Sequence, residues 1–233
     1  MTTEIEVLDD PARACAAMLV GAAAGGGHVV LTGGSTPRVA YQELVKAVKA
    51  VELDLTKSTF WFGDDRCVPP EDERSNYRLA KESLIDPLGP DNQPVVWRMK
   101  GELGPHEGAE DYQRTLEEAG PPRFELVLLG IGPDGHCASL FPDQETLQER
   151  ERLVVGVEKP GLEPFVPRIS MTLPTLTSAR RIVFLATGSS KAEAVAEAFG
   201  PGAAPDPHVP SSLIAPLAEE VTVLLDQAAA ERL

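Results

Sequence analysis

One histidine in this chain stands where proton transfer is possible. Phe124-Glu125-Leu126-Val127-Leu128-Leu129 reads as a buried strand and runs directly into Gly130-Ile131-Gly132-Pro133-Asp134-Gly135-His136. Strand ends of this kind are where α/β proteins place their reactive groups. An imidazole has an unperturbed pKa of about 6.5, so His136 can exchange protons near neutral pH, and Asp134 is close enough in sequence to orient it. The same letters spell G-x-G-x-x-G, and Glu158 follows a later strand at roughly the distance of a ribose-binding acid. A dinucleotide site, however, needs a long helix starting at the glycine turn. Pro133 inside the turn and Pro142 soon after it leave little room for one. Proton transfer is therefore the stronger reading, with a histidine that merely satisfies a loop carbonyl as the plainer one.

Three further segments carry candidate binding groups. Gly33-Gly34-Ser35-Thr36-Pro37 lies between a strand and a helix, where backbone N–H groups and two hydroxyls can cradle a phosphate. An ordinary capped turn would use the same residues, and the lysine spacing of an ATP-binding P-loop is missing. Gly63-Asp64-Asp65-Arg66 follows a Trp61-containing strand, so that the carboxylates can hold Arg66 against a substrate oxygen. A solvated ion pair is the alternative there. Arg168 opens a strand and Lys191 begins a helix after Thr187-Gly188-Ser189-Ser190; each alone reads as a surface cation, but together they can neutralise a phosphate. His28, His106 and His208 form no readable metal-ligand set and are expected to be structural or exposed.

The elements that must position these residues alternate. Asp9-Asp10-Pro11 caps an Ala-rich helix running to Ala24, and Gly25-Gly26-Gly27 stops it. Strands are expected at 28–32, 59–62, 94–97, 124–129, 153–157, 168–172, 182–186 and 221–225. Helices are expected after Pro37 with Tyr41, Leu44, Val45 and Val48 on one face, at about 76–85 and 106–119, and at 189–199 with Ser189 or Ser190 near the cap. Such alternation favours a mainly parallel, Rossmann-like sheet covered on both faces, a three-layer α/β/α fold in one domain over residues 1–233. The proline-rich stretch 200–210 is a loop.

Composition narrows the function. A net charge of −15 over 233 residues disfavours a nucleic-acid binder, while a local cluster of cations still allows an anionic small molecule. Cys15, Cys67 and Cys137 show no CxxC spacing, which fits a reducing compartment without structural zinc. The start Met1-Thr2-Thr3-Glu4-Ile5-Glu6 is neither basic nor apolar, and no run approaches a bilayer span, so a soluble cytoplasmic protein without a membrane partner is expected.

The glycine-serine-threonine block, Asp64-Asp65-Arg66-Cys67-Val68-Pro69 leading to Ser75-Asn76-Tyr77, and the histidine loop continuing through Cys137-Ala138-Ser139-Leu140-Phe141-Pro142 together resemble the 6-phosphogluconolactonase family in order and spacing. The likeness spans nearly the whole chain, through Arg168, Lys191 and Pro210-Ser211-Ser212-Leu213, and extends at the level of fold to the glucosamine-6-phosphate deaminases. Asp65 stands where the family usually has glutamate, and Cys137 where it often has threonine. The resemblance implies hydrolysis of 6-phospho-D-glucono-1,5-lactone to 6-phosphogluconate in the oxidative pentose phosphate pathway, with no cofactor and no catalytic metal. His136 would activate water, Asp134 would orient it, and Arg66 held by Asp64 would steady the oxyanion. The phosphate would rest on Gly33, Gly34, Ser35 and Thr36 with Arg168 and Lys191. A deaminase/isomerase is the enzymatic alternative, disfavoured because that family usually has an aromatic residue at the position of Arg66 and continues its histidine loop differently. A non-catalytic sugar-phosphate sensor is the other, disfavoured by the retained His136.

Overall fold

The apolar runs that end in the candidate site become neighbouring strands of one sheet. The computed structural model describes residues 2–120 and 123–233. In chain order its main elements are β1 (Thr2–Val7), α1 (Pro11–Ala23), β2 (His28–Leu31), α2 (Ser35–Ala50), β3 (Thr59–Phe62), β4 (Asp64–Arg66) and α3 (Asn76–Ala80), which continues through a π turn into α4 (Asp86–Leu88). There follow β5 (Val95–Val96), α5 (Pro105–Glu118), β6 (Leu126–Leu129), β7 (Val154–Val157), β8 (Arg168–Met171), α6 (Leu173–Thr177), β9 (Arg181–Ala186), α7 (Ala192–Phe199) and β10 (Glu220–Leu225).

Seven strands form a wholly parallel sheet in the order β1-β10-β9-β6-β2-β3-β5. Val29 to Leu31, Phe60 to Phe62 and Leu126 to Leu129 are buried without alternation, as strands covered on both faces must be. The helices flanking them obey the apolar periodicity: Tyr41, Leu44, Val45 and Val48 of α2 are all buried, and α2 packs against α1. Asp10 caps α1 through its carboxylate, which accepts from the Arg13 N–H at 3.0 Å.

β2 and β6 are adjacent, yet the chain leaves them in opposite directions, β2 towards β3 and β6 towards β9. Their C-terminal ends therefore open a crevice at the switch point of the sheet, where loops have room to meet a ligand.

Several expectations need correction. β4, β8 and β7 do not extend the parallel sheet; they form a separate antiparallel sheet in which Asp64 pairs with Ser170 and Arg66 with Arg168. Short apolar segments look alike whichever way they pair, so periodicity could not separate the two sheets. The edge strand β1 is an addition to the expected set, and its mostly exposed, polar residues carry no buried-strand pattern. The expected strand at 94–97 reduces to a two-residue pairing at Val95–Val96, and the helix at 76–85 gives way to a π turn at Lys81–Ile85. Neither Ser189 nor Ser190 caps a helix by side chain: a 3-10 turn covers Ser189–Lys191 before α7 begins. The proline-rich stretch at 200–210 lacks regular helix or strand up to Val209, and a short 3-10 turn opens at Pro210.

Candidate active site

The loop after β2 is built to present its backbone. Tyr41, nearly two turns into α2, donates its hydroxyl to the Thr32 carbonyl at 2.7 Å and accepts from the Thr32 N–H at 2.9 Å, fixing the strand end against the helix. α2 then starts at Ser35, whose N–H and that of Thr36 lie in the first turn and have no acceptor within the helix. The helix dipole adds positive potential at that point. The Thr36 hydroxyl pairs with that of Thr187, beyond the end of β9, at 2.8 Å. At Gly33 a Cβ would come 1.8 Å from Asn76 Oδ1, so only glycine lets α3 approach this loop.

The loop after β6 presents Asp134 and His136 together. Gly132 N–H donates to the His136 carbonyl and Gly135 N–H to the Gly132 carbonyl, closing a tight turn. Asp134 Oδ1 then lies 2.5 Å from His136 Nδ1. A Cβ on Gly132 would fall 2.0 Å from that nitrogen, which excludes any other residue there. Burial works to raise the Asp134 carboxyl, but the hydrogen bond and charge of His136 overcome it and hold the group below the usual carboxylate range. With Nδ1 donating to Asp134, the neutral imidazole keeps its lone pair on Nε2, the nitrogen suited to accept a proton from water. The base of this loop is clamped from the proline-rich segment: Ser211 donates both its N–H and its hydroxyl to the Gly135 carbonyl at 2.9 and 2.8 Å.

β4 supplies a different carboxylate arrangement. Asp64 is buried and accepts from Ser139 Oγ at 2.6 Å and from Asn76 Nδ2 at 3.1 Å, while the same amide donates to the Asp64 carbonyl at 2.9 Å. Ser139 N–H donates in turn to Ser170 on β8. Asp65, also buried, accepts from the N–H groups of Arg66, Asn76 and Tyr77 and from Ser75 Oγ. Burial pushes its carboxyl up to about 6 against the pull of those backbone bonds. Arg66 is not held by Asp64, contrary to expectation: its Nη1 donates to the Arg74 carbonyl at 2.6 Å. The carboxylate expected to grip it is already engaged by Ser139 and Asn76.

These segments enclose a pocket of about 230 Å³ lined by Gly33, Gly34, Ser35, Thr36, Asp64, Arg66, His136, Arg168 and Lys191, among others. Asp134 does not line it and is bonded to the Nδ1 side of the imidazole. Burial lowers the affinity of Lys191 for its proton, with Asp134 opposing, and lowers that of Arg168, with Asp64 opposing. Arg168 is 3% exposed; its Nη2 donates to the carbonyls of Leu162 and Pro164, both at 3.1 Å, and its Nε is buried without a partner. One edge of that guanidinium thus braces the pocket wall. Positive charge gathers here although the chain as a whole is strongly acidic. Among the described residues no three metal-ligating side chains converge.

All the expected groups surround or support this pocket, which the sequence blocks suggested by their order. Asn76 and Ser139 lie within the sequence blocks, but nothing local marks their part, because only the fold brings Asp64 between them. Thr187, Tyr41 and the Leu162–Pro164 wall carry no local sign of their placement. The other histidines lie elsewhere: His28 accepts from Trp61 Nε1 at 3.0 Å, and His106 and His208 pair with Glu158 and Asp143 at the surface.

The chain matches known proteins over most of its length. Residues 3–223 match the family model described as glucosamine-6-phosphate isomerases/6-phosphogluconolactonase. The chain is 38% identical over 209 residues to 6-phosphogluconolactonase of Homo sapiens, covering 87% of this chain and 79% of that protein. It is 35% identical over 215 residues to 6-phosphogluconolactonase of Synechocystis, covering 90% and 85%. The solved 6-phosphogluconolactonase of Trypanosoma brucei superposes with a TM-score of 0.82 at 28% identity, covering 100% of this chain and 99% of that one. The match of residues 3–223 to the family model and the identity to these relatives over most of the chain show that it belongs to the glucosamine-6-phosphate isomerase/6-phosphogluconolactonase family.

Proposed function

We propose that this protein hydrolyses 6-phospho-D-glucono-1,5-lactone to 6-phospho-D-gluconate in the oxidative pentose phosphate pathway, with His136 activating the attacking water. The observation that carries this reading is the Asp134–His136 pair at 2.5 Å, set in the same pocket as an open helix N-terminus and three cationic side chains. The relatives named as 6-phosphogluconolactonases support the lactone as substrate.

In the first step His136 Nε2 takes a proton from water as the water oxygen bonds to the lactone carbonyl carbon. The resulting imidazolium is stabilised by Asp134. As the tetrahedral species collapses, the bond from that carbon to the ring oxygen breaks, and His136 returns its proton to the departing oxygen. The new carboxylic acid then ionises. Arg66 steadies the negative charge that develops on the carbonyl oxygen. The phosphate of the substrate rests on the loop from Gly33 to Thr36, with Lys191 and the free edge of Arg168 neutralising it.

The test is turnover of freshly generated lactone, corrected for spontaneous opening. His136→Asn, folded by circular dichroism, is expected to lose about 10²- to 10⁴-fold in kcat. Near-parental turnover by that variant rejects His136 as the base. Release of ammonia from glucosamine 6-phosphate would instead move the protein to the isomerase side of its family.

A further inference from the structure

We propose that Phe141 is a positioning residue for His136. The hydrogen bond to Asp134 and the close approach of Gly132 hold the Nδ1 side of the imidazole and leave the rest of the ring to be supported. The plane needs a further contact. Phe141 provides it, with its ring centroid 4.6 Å from that of His136 and the two planes inclined at 37°.

The local chain is folded to make this contact. Leu140 N–H donates to the Cys137 carbonyl at 3.0 Å, a turn in which Ala138 takes a left-handed φ of 48°. That reversal returns residue 141 to the side of residue 136. The ring is wholly buried, so it cannot swing aside. Gly161 closes against it so tightly that a Cβ there would lie 3.2 Å from Phe141 Cδ1. The Arg168 guanidinium carbon lies over the same ring, 5.4 Å from its centre. Phe141 thus touches both the base and a cation of the pocket wall without itself lining the pocket.

The consequence concerns geometry in the reaction. Removing the ring leaves space beside the imidazole, which then samples orientations in which Nε2 no longer faces the water. Arg168 keeps its bonds to Leu162 and Pro164, so the phosphate side is retained. The effect therefore falls on kcat rather than KM.

This inference rests on His136 being the base, and the test separates the two. In Phe141→Leu, kcat per folded molecule is expected to fall about tenfold to a hundredfold, with KM within about twofold. In Phe141→Met, whose flexible side chain refills the space without a flat face, kcat should fall similarly. Parental kcat in either folded variant, even with a lowered Tm, overturns the positioning role while leaving the base intact. A loss confined to KM overturns it too, by moving the ring's role to Arg168. If His136→Asn keeps its turnover, the base assignment itself has failed. Should both ring variants fail to fold, the labelled imidazole of the parent decides: ring protons of His136 shifted upfield by Phe141 in a single orientation support the proposal, and an imidazole averaging between orientations overturns it.

Discussion

Asp134 and Asp64 stand in the same crevice and do opposite work. Asp134 sits on a loop, with its side chain 27% exposed, and spends its carboxylate on one partner, His136. Asp64 is 4% exposed and spends its carboxylate on Ser139 and Asn76, which belong to two other segments of the chain. The first acid acts on one titratable group. The second ties β4, the histidine loop and α3 into one frame. A carboxylate in an active site is thus a participant or a strut according to what it is bonded to, and nearness to the pocket does not decide which.

The comparison breaks most clearly at Asp64. Asp64→Ala leaves the buried Ser139 hydroxyl without its acceptor and removes one of the two bonds of the Asn76 amide, and a loss of about 3 kcal/mol is expected, read as a fall of roughly 6–12 °C in Tm. Parental melting of that variant would end the reading of Asp64 as a strut. Asp134→Asn should do the reverse: a Tm close to that of the parent, with kcat lower by about a hundredfold because the imidazole loses its charge partner and its fixed tautomer. Steady-state rates and a melting scan on both variants separate the two roles. The smallest effect concerns acid. A carboxyl held below its unfolded value contributes stability above about pH 4 that disappears as pH falls through the folded value. For Asp134, depressed in the folded state, Asp134→Asn should therefore lose less stability than the parent between neutral pH and the acid range below about pH 4. Denaturant titrations across that range check it, and equal losses would deny Asp134 its coupling to His136.

The contrast also marks what could be read from the letters. His136, Asp134, the Gly33–Thr36 loop and the cations stand out as candidates because each sits beside an interpretable strand end or helix start. Asp64 was visible as a residue but not as a strut: its partners are Asn76 and Ser139, the latter 75 positions away. Arg66 differs from expectation for the same reason: closeness in sequence suggests an ion pair with Asp64, but Asp64 is taken by Ser139 and Asn76 and Arg66 by the Arg74 carbonyl. The parallel strands were legible by their unbroken apolar character, whereas the small antiparallel sheet is defined by pairing between segments some hundred residues apart, such as Asp65 with Ile169. Local patterning carries no record of that.

The neighbouring placement of β2 and β6 has one more result. The Gly33–Thr36 loop grows from the end of one strand and the Asp134–His136 loop from the end of the next, and adjacent strands are held about 4.8 Å apart by their own backbone hydrogen bonds. On the function proposed above, the sheet therefore works as a fixed gauge, measuring the reach from a phosphoryl group to the ester it is cut against. Side chains may be exchanged around that gauge, but its length belongs to the backbone, and a sugar one carbon shorter would have its carbonyl held away from the base.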